Sequence, residues 1–206
     1  MYSFLRGSIV AKQPNTPFGT FLVLDVNGVG YSVMVNQKTL QKLPSTGTIT
    51  IYTQLIHRED SMYICGFYSS QERDLFNFLQ SVSGIGVKVA LKLLEELEPL
   101  EIISAVIKQD HKVLSKTKGI GPKIAQRIAF ELKDKMVNWR PELEKEPTAK
   151  TEMQQLESYV EAESVLLSLG YGENEIRESL TIALENVEDK DNTEELLQAS
   201  LRWLSI

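Results

Sequence analysis

The heptapeptide GIGVKVA at residues 84–90 returns as GIGPKIA at residues 119–125. With that shift of 35, Leu79 matches Leu114, Lys88 matches Lys123, Ala90 matches Ala125 and Glu96-Leu97 matches Glu131-Leu132. The apolar stripes behind the glycines also correspond. Val89, Ala90, Leu93, Leu94 and Leu97 fall on Ile124, Ala125, Ile128, Ala129 and Leu132, at helical spacing. The region must therefore hold two copies of one unit, helix, short glycine hairpin, helix, produced by internal duplication.

The hairpins have a chemistry of their own. Glycines can take φ > 0 and let another molecule approach the backbone closely. Each hairpin leads into a helix N-terminus, where unpaired N–H groups and the helix dipole favour an anion. Lys88 and Lys123 add a positive charge two residues after the second glycine, and Pro122 suits the first position of a helix. Gly84, Gly86, Lys88, Gly119, Gly121 and Lys123 are thus candidate phosphate-binding residues, with nothing among them to read a base edge. One such hairpin is as well explained by a tight helix–helix turn; two in register, in basic surroundings, favour the phosphate reading. The chain has neither a GxxxxGK[ST] loop nor a third glycine to complete a dinucleotide fingerprint, so no nucleotide cofactor is expected.

The net charge of −6 averages two unlike regions. Residues 1–138 hold 16 Lys/Arg against 12 Asp/Glu, a balance of +4, whereas residues 139–206 hold 6 against 16, a balance of −10. Such asymmetry predicts a polyanion partner for the first part and a different partner for the second. The most basic stretch is 108–135, which includes Lys118 beside the second hairpin and Arg127 one turn beyond it.

Residues 1–66 have a β pattern. The Asn27-Gly28 dipeptide divides two apolar runs as a hairpin turn would, and Ile49, Ile51 and Tyr63, Cys65 alternate as in strands with one buried face. Several short strands without a helix predict a small closed barrel, either of the oligonucleotide/oligosaccharide-binding type or SH3-like. Residues 67–138 are helical. Residues 139–153 bring prolines and alternating charge with little to bury, and are expected to be a flexible linker. Residues 154–206 predict three short helices, the first closed at Gly170 and the last opened by Asn192. The single cysteine and the polar start of the chain predict an intracellular, cytoplasmic setting without a membrane span. His57 and His111 belong to no ligand pattern, so no metal is expected.

Taken in order, these features resemble the RuvA family, the Holliday-junction-binding subunits of bacterial branch-migration complexes. The resemblance is carried by MYSFLRGSIVAKQ and VNGVGYSV in the β region, HRED at 57–60, QERDLF at 71–76, both hairpins, and SLGY at 168–171. It implies an oligonucleotide/oligosaccharide-binding barrel, a tandem helix-hairpin-helix domain and a small mobile C-terminal domain. It also implies a homotetramer, or two tetramers face to face as an octamer, holding four-way junction DNA in recombination, DNA repair and the SOS response. Glu59 and Asp60 would form an acidic pin at its centre, repelling phosphates so that uninterrupted duplex is disfavoured. Leu166, Leu169, Tyr171 and Ile176 would offer an apolar patch to a RuvB-type ATPase, and a RuvC-type resolvase is a further implied partner. Some family members carry a second basic residue where this chain has Pro122.

Two other classes compete. A helix-hairpin-helix glycosylase or nuclease would place a catalytic aspartate after a hairpin, and Asp134 is the nearest candidate, lying among lysines. A protein adaptor would use the hairpins as turns only and would show no salt-dependent DNA binding. Glu59 and Asp60 do not form a convergent catalytic pair, because adjacent strand residues point to opposite faces.

Overall fold

The computed structural model describes residues 2–139, 147–187 and 189–205. Strands β1 (Phe4–Thr16), β2 (Gly19–Val26), β3 (Val29–Val35), β4 (Thr48–His57) and β5 (Met62–Phe67) close a barrel in the order β1-β2-β3-β5-β4. All neighbours are antiparallel except β3 and β5, which run parallel. This is the oligonucleotide/oligosaccharide-binding barrel, and the SH3-like alternative falls away. Asn27 (φ 52°) and Gly28 (φ 83°) form the two-residue turn between β2 and β3, with Val26 opposite Val29. Positive φ at both positions gives the turn whose twist matches the flanking strands. Leu22, Leu24, Val33, Val35 and Ile51 fill the interior.

Two expectations about this region need correction. The β region does contain a helix, α1 (Gln37–Lys42), whose first turn is capped by the Asn36 side chain accepting the Thr39 N–H at 2.7 Å. And β1, the longest strand, was not visible as one, because register shifts between Ile9 and Ala11 and between Gln13 and Thr16 break its alternation.

The barrel feeds directly into the helices. Phe67 at the end of β5 packs on Phe76 with ring centroids 4.8 Å apart, inside the same core as Leu75 and Leu79. Those residues lie on α2 (Ser70–Gln80), opened by a reciprocal cap. The Ser69 hydroxyl accepts the Glu72 N–H, and the Glu72 carboxylate accepts the Tyr68 N–H, both at 3.1 Å. Burial holds the Glu72 carboxyl above its ordinary range. Helices α3 (Val87–Glu96), α4 (Pro99–Ile107), α5 (His111–Ser115) and α6 (Pro122–Asn138) complete the central domain.

The C-terminal helices are α7 (Pro147–Ser168), α8 (Glu173–Asn186) and α9 (Thr193–Leu204). Of the stretch expected as a linker, 139–153, the described residues are Trp139 and 147–153. Trp139 packs edge-on against Phe78 with centroids 5.4 Å apart, and residues 147–153 belong to α7. Charge alternation does not exclude a helix, because Lys, Glu, Gln and Met are all good helix formers. Residues 140–146 lie outside the described residues. Gly170 (φ 91°) closes α7, and the Asn192 side-chain Oδ1 accepts the Glu194 and Glu195 N–H groups at the start of α9. The α7 helix packs against α4 and α6, with Leu156 and Val160 beside Ile103, Ile107 and Met136.

Candidate nucleic-acid interface

The two hairpins have the same backbone. Gly84 and Gly119 take φ of 93° and 98°, a region an L-residue enters only with strain. Gly86 caps α3 at φ −87°, ψ 167°, and Gly121 caps α6 at φ −79°, ψ 167°. Between the glycines, Ile85 and Ile120 turn inward and are almost wholly buried. Their N–H groups bond to Val82 O (3.1 Å) and Thr117 O (3.0 Å). An apolar plug thus anchors each loop from beneath while its glycines stay outside.

The second glycine of each pair needs a different explanation from the first. The conformation of Gly86 and Gly121 is ordinary extended backbone, open to any residue. A Cβ added at either would meet nothing within 4 Å. At Gly66 in the barrel, by contrast, an added Cβ would come within 2.5 Å of Val33 Cγ1, so packing excludes a side chain there. No such demand exists at Gly86 or Gly121. What the missing side chain keeps clear is the approach from solvent to the unpaired N–H groups at the starts of α3 and α6.

The structure sorts the basic residues that charge alone leaves together. Lys88, Lys118 and Lys123 are exposed and have no ion-pair or hydrogen-bond partner among the described residues. Others are engaged. Lys133 bonds Glu163 of α7 at 2.7 Å, Lys135 bonds the Ser81 hydroxyl at 3.0 Å, and the Lys108 ammonium lies 5.5 Å from the Tyr159 ring centroid. Burial, with Lys190 nearby, pushes the Lys108 pKa down. Arg127 is half-exposed and engaged twice: its Nε pairs with Glu131 at 3.7 Å, and its Nη1 donates to Ser83 O at 3.1 Å, reaching from the second unit to the loop of the first. No sequence signal announces that bond, which joins residues 44 apart.

Glu59 and Asp60 sit at the tip of the β4–β5 hairpin, closed by the Arg58 N–H bonding Ser61 O at 2.8 Å. Asp60 accepts the Ser61 hydroxyl at 3.1 Å, and Glu59 has no partner among the described residues. Both carboxylates are exposed. Asp134 is also exposed, 13 residues beyond Gly121 and so roughly 20 Å further along α6. Among the described residues no group of His, Cys, Asp and Glu is arranged to hold a metal ion, and no helix is long and apolar enough to cross a membrane. Cys65 is buried, which pushes its thiol pKa up to about 12.

The proposed apolar patch on the C-terminal domain divides. Leu166 and Ile176 are completely buried with Tyr159, Leu180 and Leu196, so they build the helical core and cannot be its contact surface. Leu169 is 58% exposed, and Tyr171 is partly buried against the core. Val165, Leu167 and Trp203 are also exposed and were missed, because a helical stripe in sequence does not say which of its edges is covered.

Comparison with known proteins follows the same division. The chain matches the family models "RuvA N terminal domain" over residues 1–66, "SAM-like Helix-hairpin-helix tandem" over 76–134, and "RuvA, C-terminal domain" over 159–205. Among curated proteins it is similar to the Holliday junction branch migration complex subunit RuvA of Synechococcus elongatus, at 39% identity over all of both chains. The protein of that name from Gloeobacter violaceus is 35% identical, covering all of this chain and 98% of the relative. The one from Pseudomonas fluorescens is 38% identical, covering 99% of this chain and all of the relative.

Proposed function

The chain belongs to the RuvA family, and from that premise we propose that it binds four-way DNA junctions without reading their sequence, as the DNA-holding subunit of a branch-migration complex. The observation that carries this reading is the pair of helix-capping glycines, Gly86 and Gly121, where neither backbone conformation nor packing within the chain calls for glycine. A phosphate fits each opening. It accepts N–H groups of the helix start and meets Lys88 or Lys123, with Lys118 and the half-exposed Arg127, itself paired with Glu131, within the same basic surface.

Four copies around a junction would present eight hairpins, a pair to each arm. The barrel exterior supports such self-association, since Phe4, Val10 and Met62 stand exposed on it. Glu59 and Asp60 project from the barrel and would meet at the centre. Carboxylates facing phosphates repel them, so an open junction is accepted and continuous duplex is not. The acidic C-terminal domain repels DNA and is assigned to a RuvB-type ATPase, with Leu169, Tyr171 and their exposed neighbours as contacts. This chain is the non-catalytic subunit, and the energy for moving the junction comes from that partner.

A gel shift on a four-way junction and on linear duplex of equal length, with magnesium and without ATP across a salt series, tests the reading. Strong junction preference, steep loss of binding with salt and intact DNA are expected. Glu59→Gln with Asp60→Asn should raise duplex binding towards junction binding. Cleavage would favour a nuclease, and salt-independent or absent binding would favour an adaptor.

A further inference from the structure

The barrel carries a second feature beside the first hairpin. The β1–β2 turn places Phe18 at its tip, 79% exposed, with no aromatic ring against it among the described residues. The tip is well held. The Thr16 hydroxyl donates to Gly19 O at 2.6 Å and accepts the Phe18 N–H at 3.3 Å, while Pro17 fixes the backbone before the ring. Polar contacts then tie the base of this arm to α3. Thr20 Oγ1 donates to Gln37 Oε1, and the Gln37 N–H donates to Glu95 Oε2, each at 3.4 Å. Glu95 is also paired with Lys92 at 3.0 Å. An open cleft lies between the tip and the helix, with Pro17 and Phe18 on one wall and Lys88, Leu91 and Lys92 on the other.

We propose that Phe18 is an apolar finger that packs on the sugars and base edges of the DNA arm whose phosphates lie on the first hairpin. The inference rests on the hairpin being the phosphate site, and it follows from continuity with that site. A duplex seated on Gly84, Gly86 and Lys88 brings its groove beside the opposite wall of the same cleft. The ring has no charge to offer a phosphate. It does match the C–H-rich floor of a groove, where apolar side chains wedge against base steps. Fixing the tip through Thr16, Pro17 and Gln37 lowers the entropy lost when the ring is buried by DNA.

The test uses the full chain with Phe18→Ala and Phe18→Trp on a four-way junction, with Lys88→Ala as the reference. Phe18→Ala should weaken junction binding about tenfold, the order expected for loss of one aromatic contact to a base, and Phe18→Trp should retain binding. The slope of log affinity against log salt should stay unchanged in both, because an apolar contact releases no counterions, whereas Lys88→Ala should flatten it. Wild-type affinity in Phe18→Ala overturns the proposal and leaves the hairpin reading intact. So does a changed oligomeric state of Phe18→Ala by sedimentation, which would place the ring between copies of the chain. Failure of the wild-type protein to bind DNA would remove both.

Discussion

The first and second hairpins share a backbone and a buried face but differ in the lengths of their helices and in what backs them. The helix leading into the first has 11 residues and the one leading into the second has five; the helices leading out have 10 and 17. The first is backed by the barrel, through Gln37 and Glu95. The second is backed by α7, through Lys133 and Glu163. Yet φ at the leading glycines agrees within 5°, both second glycines cap their helices in extended geometry, and each lysine stands unpaired. The copies share their glycines, the buried plug Ile85/Ile120 and the buried pairs Leu79/Leu114 and Ala90/Ala125, and differ in helix length and in the element packed behind them. Arg127 of α6 ties the second unit to the loop of the first at Ser83 O.

The sharpest way to break the likeness is to separate stability from binding. Aspartate is a better helix N-cap than glycine by a few tenths of a kcal/mol. Gly86→Asp with Gly121→Asp should therefore leave the melting temperature unchanged or slightly raised, since a Cβ meets nothing at either position. The new carboxylates would sit where phosphates bind. Losing the charge-assisted bonds at both hairpins, at about 1.5–3 kcal/mol each, should lower junction affinity by about two to four orders of magnitude. Stable protein that still binds would remove the hairpins from the interface.

A smaller effect tests whether the two lysines are equivalent. Lys88→Ala and Lys123→Ala should each reduce the salt slope by about 0.9 per copy on the junction, so by about 3.6 for four copies, with melting temperature unmoved because neither lysine has a partner among the described residues. Unequal slopes would show that only one hairpin holds a phosphate.

The leading glycines should behave in the opposite sense to the capping pair. Gly84→Ala and Gly119→Ala force an L-residue to φ near +95°, which costs about 1–2 kcal/mol each. The only neighbour of either added Cβ is Val89 Cγ2 at 3.9 Å from position 119, ordinary contact, so the two losses should agree within about 0.5 kcal/mol. Chemical denaturation measures this directly.

What could be read in advance depended on whether a feature is written locally. The doubled heptapeptide, the Asn27-Gly28 turn and the alternation at Ile49 and Ile51 are local patterns that the folded chain bears out, whereas β5 is covered on both faces, Ile64 by the barrel core and Cys65 by the helical one. Strand β1 hid behind its bulges, and α1 is a six-residue helix whose capping asparagine is its only clear signal. The start of α7 hid because polar helix formers look like linker when no apolar stripe marks them. Within the site, the candidate residues were legible, but their states were not. Whether Lys123 is free and Lys133 paired, or Leu169 outside and Leu166 inside, depends on elements far apart in the chain. The Arg127–Ser83 bond and the Phe18 tip have the same origin, since both are set by tertiary placement.

Within the repeated heptapeptide the hairpins differ most at the first helical position, Val87 in one and Pro122 in the other. Val87 is buried, so its side chain belongs to the core and cannot be exchanged without cost. Pro122 is exposed and contributes chiefly by restricting the unfolded chain. Pro122→Lys should therefore lower stability by only about 0.4–1 kcal/mol while supplying both a helix-start N–H and a second positive charge beside Lys123. If a phosphate lies on this hairpin, the salt slope should steepen by up to about 0.9 per copy on the junction and low-salt affinity should rise. If the proline itself shapes the site, the same substitution should weaken binding at every salt concentration with the slope unchanged. The direction of this small shift decides whether the second hairpin is a weaker copy of the first or one tuned by its proline.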